Sequence, residues 1–163
     1  MKQVIIRLMG ISGILGGLLL FTGDMLFYYH PSSTSLIQNM GEVSDARIIA
    51  SGVCALLATW LYLIGVGHVY YAFKETTTFV RNSVLLSMGS ILVAYGVIHA
   101  AFVAIATTAK LAITHDLNFD EATFLSLKVN GVMRLFVYPI FIYLSVIFIA
   151  QVWKRRTLYP RWI

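Results

Sequence analysis

Four stretches of this chain are each long and apolar enough to cross a bilayer, and that constrains the fold before anything else does. A membrane helix needs about 20 mostly apolar residues. The stretches run Leu8–Tyr29, Arg47–Phe73, Ser83–Ala109 and Gly131–Trp153, joined by His30–Ala46, Lys74–Asn82 and Lys110–Asn130. Composition agrees. The chain is 59% apolar and 12% charged, whereas soluble domains carry about 45–50% and about 25%. Mean hydropathy is +0.82. That is too little charge to cover a soluble surface and too much apolar bulk for disorder. The 163 residues are expected to form a single all-α domain, a polytopic four-transmembrane-helix bundle.

Orientation follows from the basic residues. With four spans, both termini share one side, which holds Lys2, Arg7, Lys74, Arg81, Lys154, Arg155, Arg156 and Arg161. The other side holds Arg47, Lys110, Lys128 and Arg134. The positive-inside rule puts the larger set in the cytoplasm, N-in and C-in, in a plasma (inner) membrane. The net charge of +5 therefore reports topology and gives no reason to expect nucleic acid. The first span follows Lys2 and Arg7 like a secretory signal. It runs on to Tyr29 without a small-x-small cleavage site, so it reads as a retained helix.

Helices in lipid associate through close backbone approach, so small residues mark contact faces. Gly13-xxx-Gly17 is such a match in the first span, and Gly96-xxx-Ala100-xxx-Ala104-xxx-Thr108 forms a stripe in the third. Either packs the bundle internally or offers Gly13, Gly17, Gly96 and Ala100 to a second copy or another membrane protein. Cys54, the only cysteine, makes no disulfide or CxxC pair and reads as a small packing residue. Pro139 cannot donate to the carbonyl of Leu135, so a bend is expected there. Asn118 or Asp120 is placed to cap a short interfacial helix running into the fourth span. Trp153, Tyr159 and Trp162 among Lys154, Arg155, Arg156 and Arg161 make an aromatic belt with a basic collar.

Ionisable groups at membrane depth are expensive and are functional candidates by default. At about 1.5 Å per residue, Asp24 and His99 lie ~24 Å above the inner ends of their spans and Arg134 ~28 Å. Tyr95 and Tyr138 flank them by one turn. An acid, an imidazole and a guanidinium thus share one layer. It is either a clasp fixing helix register or an outer-half polar pocket for a small molecule, lipid or proton. No metal and no cofactor is called for. His68 sits ~8 Å from the inner end of its span, too far below His99 to share a haem iron, and is expected to reach toward the inner interface. HExxH, GxSxG and GxxxxGK[ST] are absent. The CREST-type zinc hydrolases need several intramembrane histidines, and here an arginine would oppose the cation. Small four-helix multidrug exporters also carry an acid in the first span, but their aromatic and glycine pattern is not visible.

Three strings carry a family likeness: GILGGLLLFTGDMLFYYHP from Gly13 to Pro31, LATWLYLIGVGHVYYAFK from Leu57 to Lys74 and AYGVIHAAFVA from Ala94 to Ala104. Together they resemble an uncharacterised family of bacterial integral membrane proteins, a domain of unknown function. The resemblance places its Gly-Asp on Gly23–Asp24, its Tyr-Leu-Ile-Gly on Tyr62–Gly65 and its His-Ala on His99–Ala100. It implies a longer chain, with hydrophobic segments after a Pro-[RK]-Trp such as Pro160–Trp162. A chain ending at Ile163 is then a short variant or a fragment. The resemblance implies no reaction. Three functions compete: a ligand-binding or transport protein, a structural or accessory membrane subunit, and a lipid-modifying enzyme using His99 and Asp24 as acid and base.

Overall fold

The computed structural model describes residues 3–29 and 35–162. Lys2, part of the basic set above, and residues 30–34 of the first connection lie outside the described residues. The elements are α1 (Gln3–Tyr28), α2 (Leu36–Glu42), α3 (Asp45–Ala72), α4 (Thr78–Thr114) and α5 (Phe119–Trp153). α1, α3, α4 and α5 are each long and apolar enough to span a bilayer. With no water in the hydrocarbon to pair exposed amides, only structures that satisfy their own backbone survive there, and a helix does so within one segment.

Polar residues start the helices. The side chains of Ser35, Ser44, Thr77 and Asn118 accept from the backbone N–H groups of Gln38, Arg47, Val80 and Glu121, satisfying donors a helix leaves unpaired at its first turn. The cap expected at Asn118 or Asp120 is Asn118. The separate interfacial helix expected there is instead the first part of α5, continuous through Asn130 and Pro139 to Trp153. α4 likewise runs five residues beyond the expected end at Ala109. The long connection expected over Lys110–Asn130 therefore shrinks to His115–Asn118. α4 ends with Asp116 at φ 52° and the Leu117 N–H reaching back to Ala112 O at 2.9 Å, a Schellman-type closure. Hydropathy reports where lipid ends, and a helix of good formers with a cap at its far end continues into water.

The helices pack in chain order: α1 on α3, α3 on α4, α4 on α5, with α2 lying across α4. α1 and α5 do not pack on each other, so the bundle is an arc with a seam between its first and last helices. The glycine face of α1 makes the first contact. A Cβ on Gly65 would lie 3.0 Å from the Cα of Gly13, and one on Gly16 would lie 3.2 Å from Ala58 O. A Cβ on Gly23 would stand 3.0 Å from that of Cys54, so Cys54 is a packing residue there. A Cβ on Gly17 would lie 3.3 Å from the hydroxyl of Tyr62, and one on Gly96 would lie 3.2 Å from Thr59 Oγ1. Gly13, Gly17 and Gly96 are thus engaged within the chain, while Ala100 is exposed. His68 lies against α1, its Cδ2 3.4 Å from where Gly10 would carry a Cβ.

Three apolar layers stack along the bundle. Phe27, Met40, Val43, Ile48, Ile105 and Ala106 fill the end near α2. Ile91, Ile98 and Val137 fill the middle. Ala72, Phe73 and Val84 fill the opposite end, where Tyr159 folds back onto Phe73 and Phe148.

Candidate functional site

The C-terminal end of α1 is held by other helices. Arg47 donates from Nη2 to Tyr29 O at 2.9 Å and Met25 O at 3.3 Å, and Asn39 donates to Tyr28 O at 3.2 Å. A helix C-terminus carries partial negative charge, and α1 has no basic residue in its last turn. Arg47 supplies that charge from α3. This fixes the last turn and a half of α1 and with it Asp24.

Asp24 points across the arc to α4. Its Oδ1 lies 3.3 Å from His99 Nε2, with side chains 35% and 12% exposed. The nitrogen is buried, and the pair lacks the alignment of a hydrogen bond. α1 and α4 are not neighbours in the arc, so this polar contact is diagonal. Phe27 and Phe102 lie beside the imidazole, their ring centroids 6.3 and 5.8 Å away, and Tyr28 stands edge-on to Phe102. These rings close the α2 side of the contact.

Arg134 belongs to the same region but does not join Asp24. Its guanidinium sits 5.0 Å from the centroid of Phe102, its Nε is buried without a partner, and it makes no ion pair among the described residues. Asn130, 5% exposed, donates to Ile98 O at 3.2 Å and pins α5 to α4. Arg134, one turn on, lies over the α4 ring of Phe102. It still acts electrostatically on both His99 and Tyr28.

On the other side of His99 lies a cavity of about 250 Å³, between α1, α3, α4 and α5. Leu20, Ile91, Leu92 and Phe141 make most of its wall, and its polar groups are His99, Tyr95, Tyr62 and Thr59. Thr59 already donates to Ala55 O at 2.9 Å. The phenols of Tyr62 and Tyr95 make no hydrogen bond among the described residues, and Tyr95 is held edge-on by Phe141. Leu20 of α1 and Phe141 of α5 both line the cavity, which therefore reaches the two helices on either side of the seam. Tyr138 is 46% exposed and is not part of this lining.

Of the five residues expected in one polar layer, the fold brings Asp24, His99 and Tyr95 to a single place. Arg134 stands next to it behind Phe102, and Tyr138 lies outside. Tyr62 and Asn130 were not among the expected residues. Tyr62 had a signal, since it follows Ala58 by one helical turn on the face that meets α1. Asn130 was taken as the end of a loop.

A family model of unknown function, DUF6796, matches residues 1–163. The chain belongs to that family. No curated protein and no solved structure matches it. The family carries no assigned activity, so what the chain does must be argued from the cavity and its polar rim.

Proposed function

We propose that this chain is a multi-pass protein of a bacterial inner membrane, both termini cytoplasmic, that binds a small amphipathic molecule in the cavity beneath His99. The observation that carries this reading is the cavity itself. A largely apolar chamber holds two phenols that make no hydrogen bond among the described residues, beside an imidazole in contact with Asp24. Binding sites in helix bundles have this composition, mostly apolar with a few convergent polar groups. Asp24 stands against Nε2 of His99, where a carboxylate favours a charged imidazole. The polar head of the ligand lies against His99, Tyr62 and Tyr95, and its apolar body against Leu92 and Phe141. The aromatic lid of Phe27, Phe102 and Tyr28 blocks the direct path to the α2 side, so entry is through the α1/α5 seam.

A photo-crosslinking residue at Phe141 tests this in membranes. It should capture a discrete small molecule that is lost in His99→Ala, while the same probe at Ile142, 65% exposed, should capture bulk phospholipid. Bulk phospholipid alone at both positions would remove the proposal.

The second reading is an accessory subunit in which Asp24 and His99 form a clasp, and their direct contact across the arc favours it. A double-mutant cycle on Asp24→Asn and His99→Gln separates the two. A clasp gives coupling toward the upper end of interhelical polar contacts in membranes, which average ~0.6 and reach ~1.7 kcal/mol. A ligand site gives coupling near zero together with loss of the captured molecule.

A further inference from the structure

Another face of α3 and α4 carries a long groove in two connected parts. The first, of about 640 Å³, has a floor of small residues, Gly52, Gly96 and Ala100, between Trp60 and Val97. The second, of about 560 Å³, is walled by Ile48, Ile49 and Leu111 and carries Asp45, Thr107, Lys110 and Thr114 as its polar groups. Val103 belongs to both. The groove thus passes from apolar to charged along the axis of α4. Thr107 to Val97 is ten residues, ~15 Å of helix, and one leaflet's share of the hydrocarbon core is about half of ~30 Å. The apolar part matches the depth of one leaflet, and the charged part falls at its headgroups.

The charged end has a particular chemistry. Lys110 Nζ donates to Val43 O at 3.1 Å and pairs with Asp45. Its side chain is 32% exposed and that of Asp45 is 78% exposed. The hydroxyl of Thr107 donates to Val103 O or Ala104 O at 3.0 Å, and that of Thr114 to Lys110 O at 2.8 Å. Both hydroxyls use their proton on α4 itself and leave lone pairs as acceptors. The groove end therefore offers one cation beside a carboxylate and two hydroxyl acceptors.

We propose that this groove binds one phospholipid with a zwitterionic, amine-bearing headgroup. An acyl chain lies over Val103, Ala100 and Gly96 toward Trp60. Lys110 meets the phosphate, and Asp45 with the two threonines meets the ammonium. The groove shares Ala55 and Thr59 with the chamber under His99, but Val97, Ala100 and Lys110 do not line that chamber, so substitutions there test the groove alone.

Native mass spectrometry of the full chain, released from micelles doped equally with phosphatidylethanolamine and phosphatidylglycerol, tests this. Wild type should retain one phosphatidylethanolamine per chain, at least tenfold over phosphatidylglycerol. Ala100→Phe, which fills the floor, should lower that retention at least tenfold, and Lys110→Gln should remove the headgroup preference. Ile142→Phe on the lipid face of α5 should change nothing. Val97→Trp repeats the block at an outward position, so the test stands if Ala100→Phe does not fold. Equal retention of the two lipids would overturn the proposal, as would blocked variants that retain lipid like Ile142→Phe. A dimer that Ala100→Phe dissociates would overturn it too, because a second copy would then cover the groove.

Discussion

Replacing Gly65 by alanine adds one methyl at the place where α1 and α3 meet backbone to backbone. An ideal Cβ at Gly65 lies 3.0 Å from Gly13 Cα, 3.2 Å from Gly13 N and 3.5 Å from Met9 O. Carbon atoms in good contact stand ~3.5–4.0 Å apart, so α1 must retreat by about 0.5–1 Å, and a gap of that size forfeits a quarter to a half of each contact along the seam. One seam contact is directional. The hydroxyl of Ser12 donates to Leu61 O at 2.9 Å, and the same retreat takes it past normal hydrogen-bond length. Overpacking of this kind costs ~1–3 kcal/mol. Alanine's better helix propensity returns up to ~1 kcal/mol, leaving a net loss of ~0–2 kcal/mol. Gly131 and Gly89 provide the control, because a Cβ there meets nothing within 4 Å. Alanine at either should stabilise by ~0.5–1 kcal/mol. Unfolding of the three variants in mixed micelles by increasing dodecyl sulfate measures this. Equal midpoints for Gly65→Ala and Gly131→Ala would refute the idea that α1 and α3 touch here.

Further expectations concern other parts of the bundle. Asn130→Leu loses the bond to Ile98 O and should cost ~0.6–1.7 kcal/mol while increasing the accessibility of Arg134 to water-soluble guanidine reagents; no change in either would show that Asn130 does not hold α5. Tyr159, beyond the last spanning helix, has its phenol pushed above the usual tyrosine range by burial. The folded pKa then exceeds the unfolded one, so Tyr159 contributes stability below pH ~10 that fades as pH rises through the folded value. The ultraviolet difference titration between wild type and Tyr159→Phe should show a phenol ionising later than free tyrosine, and an ordinary titration would contradict its packing on Phe73 and Phe148. In a Cys54→Ser background, a cysteine at Glu75 should react with impermeant reagents only from the cytoplasm and one at Asp116 only from the other side. The reverse pattern would invert the topology.

Span number and rough position were legible because each span is a long apolar run between charged residues. The outer ends of α4 and α5 were not, since Lys110 and Asn118–Asn130 look like a loop to hydropathy although their residues favour helix. α2 was missed for a related reason: LIQNMGE is short, and its role depends on Gly41, where a Cβ would meet Ala109 at 3.0 Å and Ile113 at 2.8 Å, a contact no local pattern announces. Counting residues along the spans put Asp24 and His99 at one depth, and they do touch. The same count could not place Arg134, because depth along a helix leaves its direction around the axis open. Asn130, one turn before Arg134, is bonded to Ile98 O of α4, a contact that a depth count does not report.

The order of the arc bears on how the chain is assembled. A membrane protein enters the bilayer from its N-terminus, one helix after another. Here each arriving spanning helix meets the one before it: α3 finds α1, α4 finds α3, and α5 finds α4. No interface waits for a late helix to return to an early one, so each partial product already has its own packed neighbour. The Asp24–His99 contact is the exception. Until α4 is inserted, Asp24 has no histidine, and the first two spanning helices must carry an acid facing lipid or water. Arrest of synthesis at any point before α4 therefore leaves Asp24 without its histidine partner.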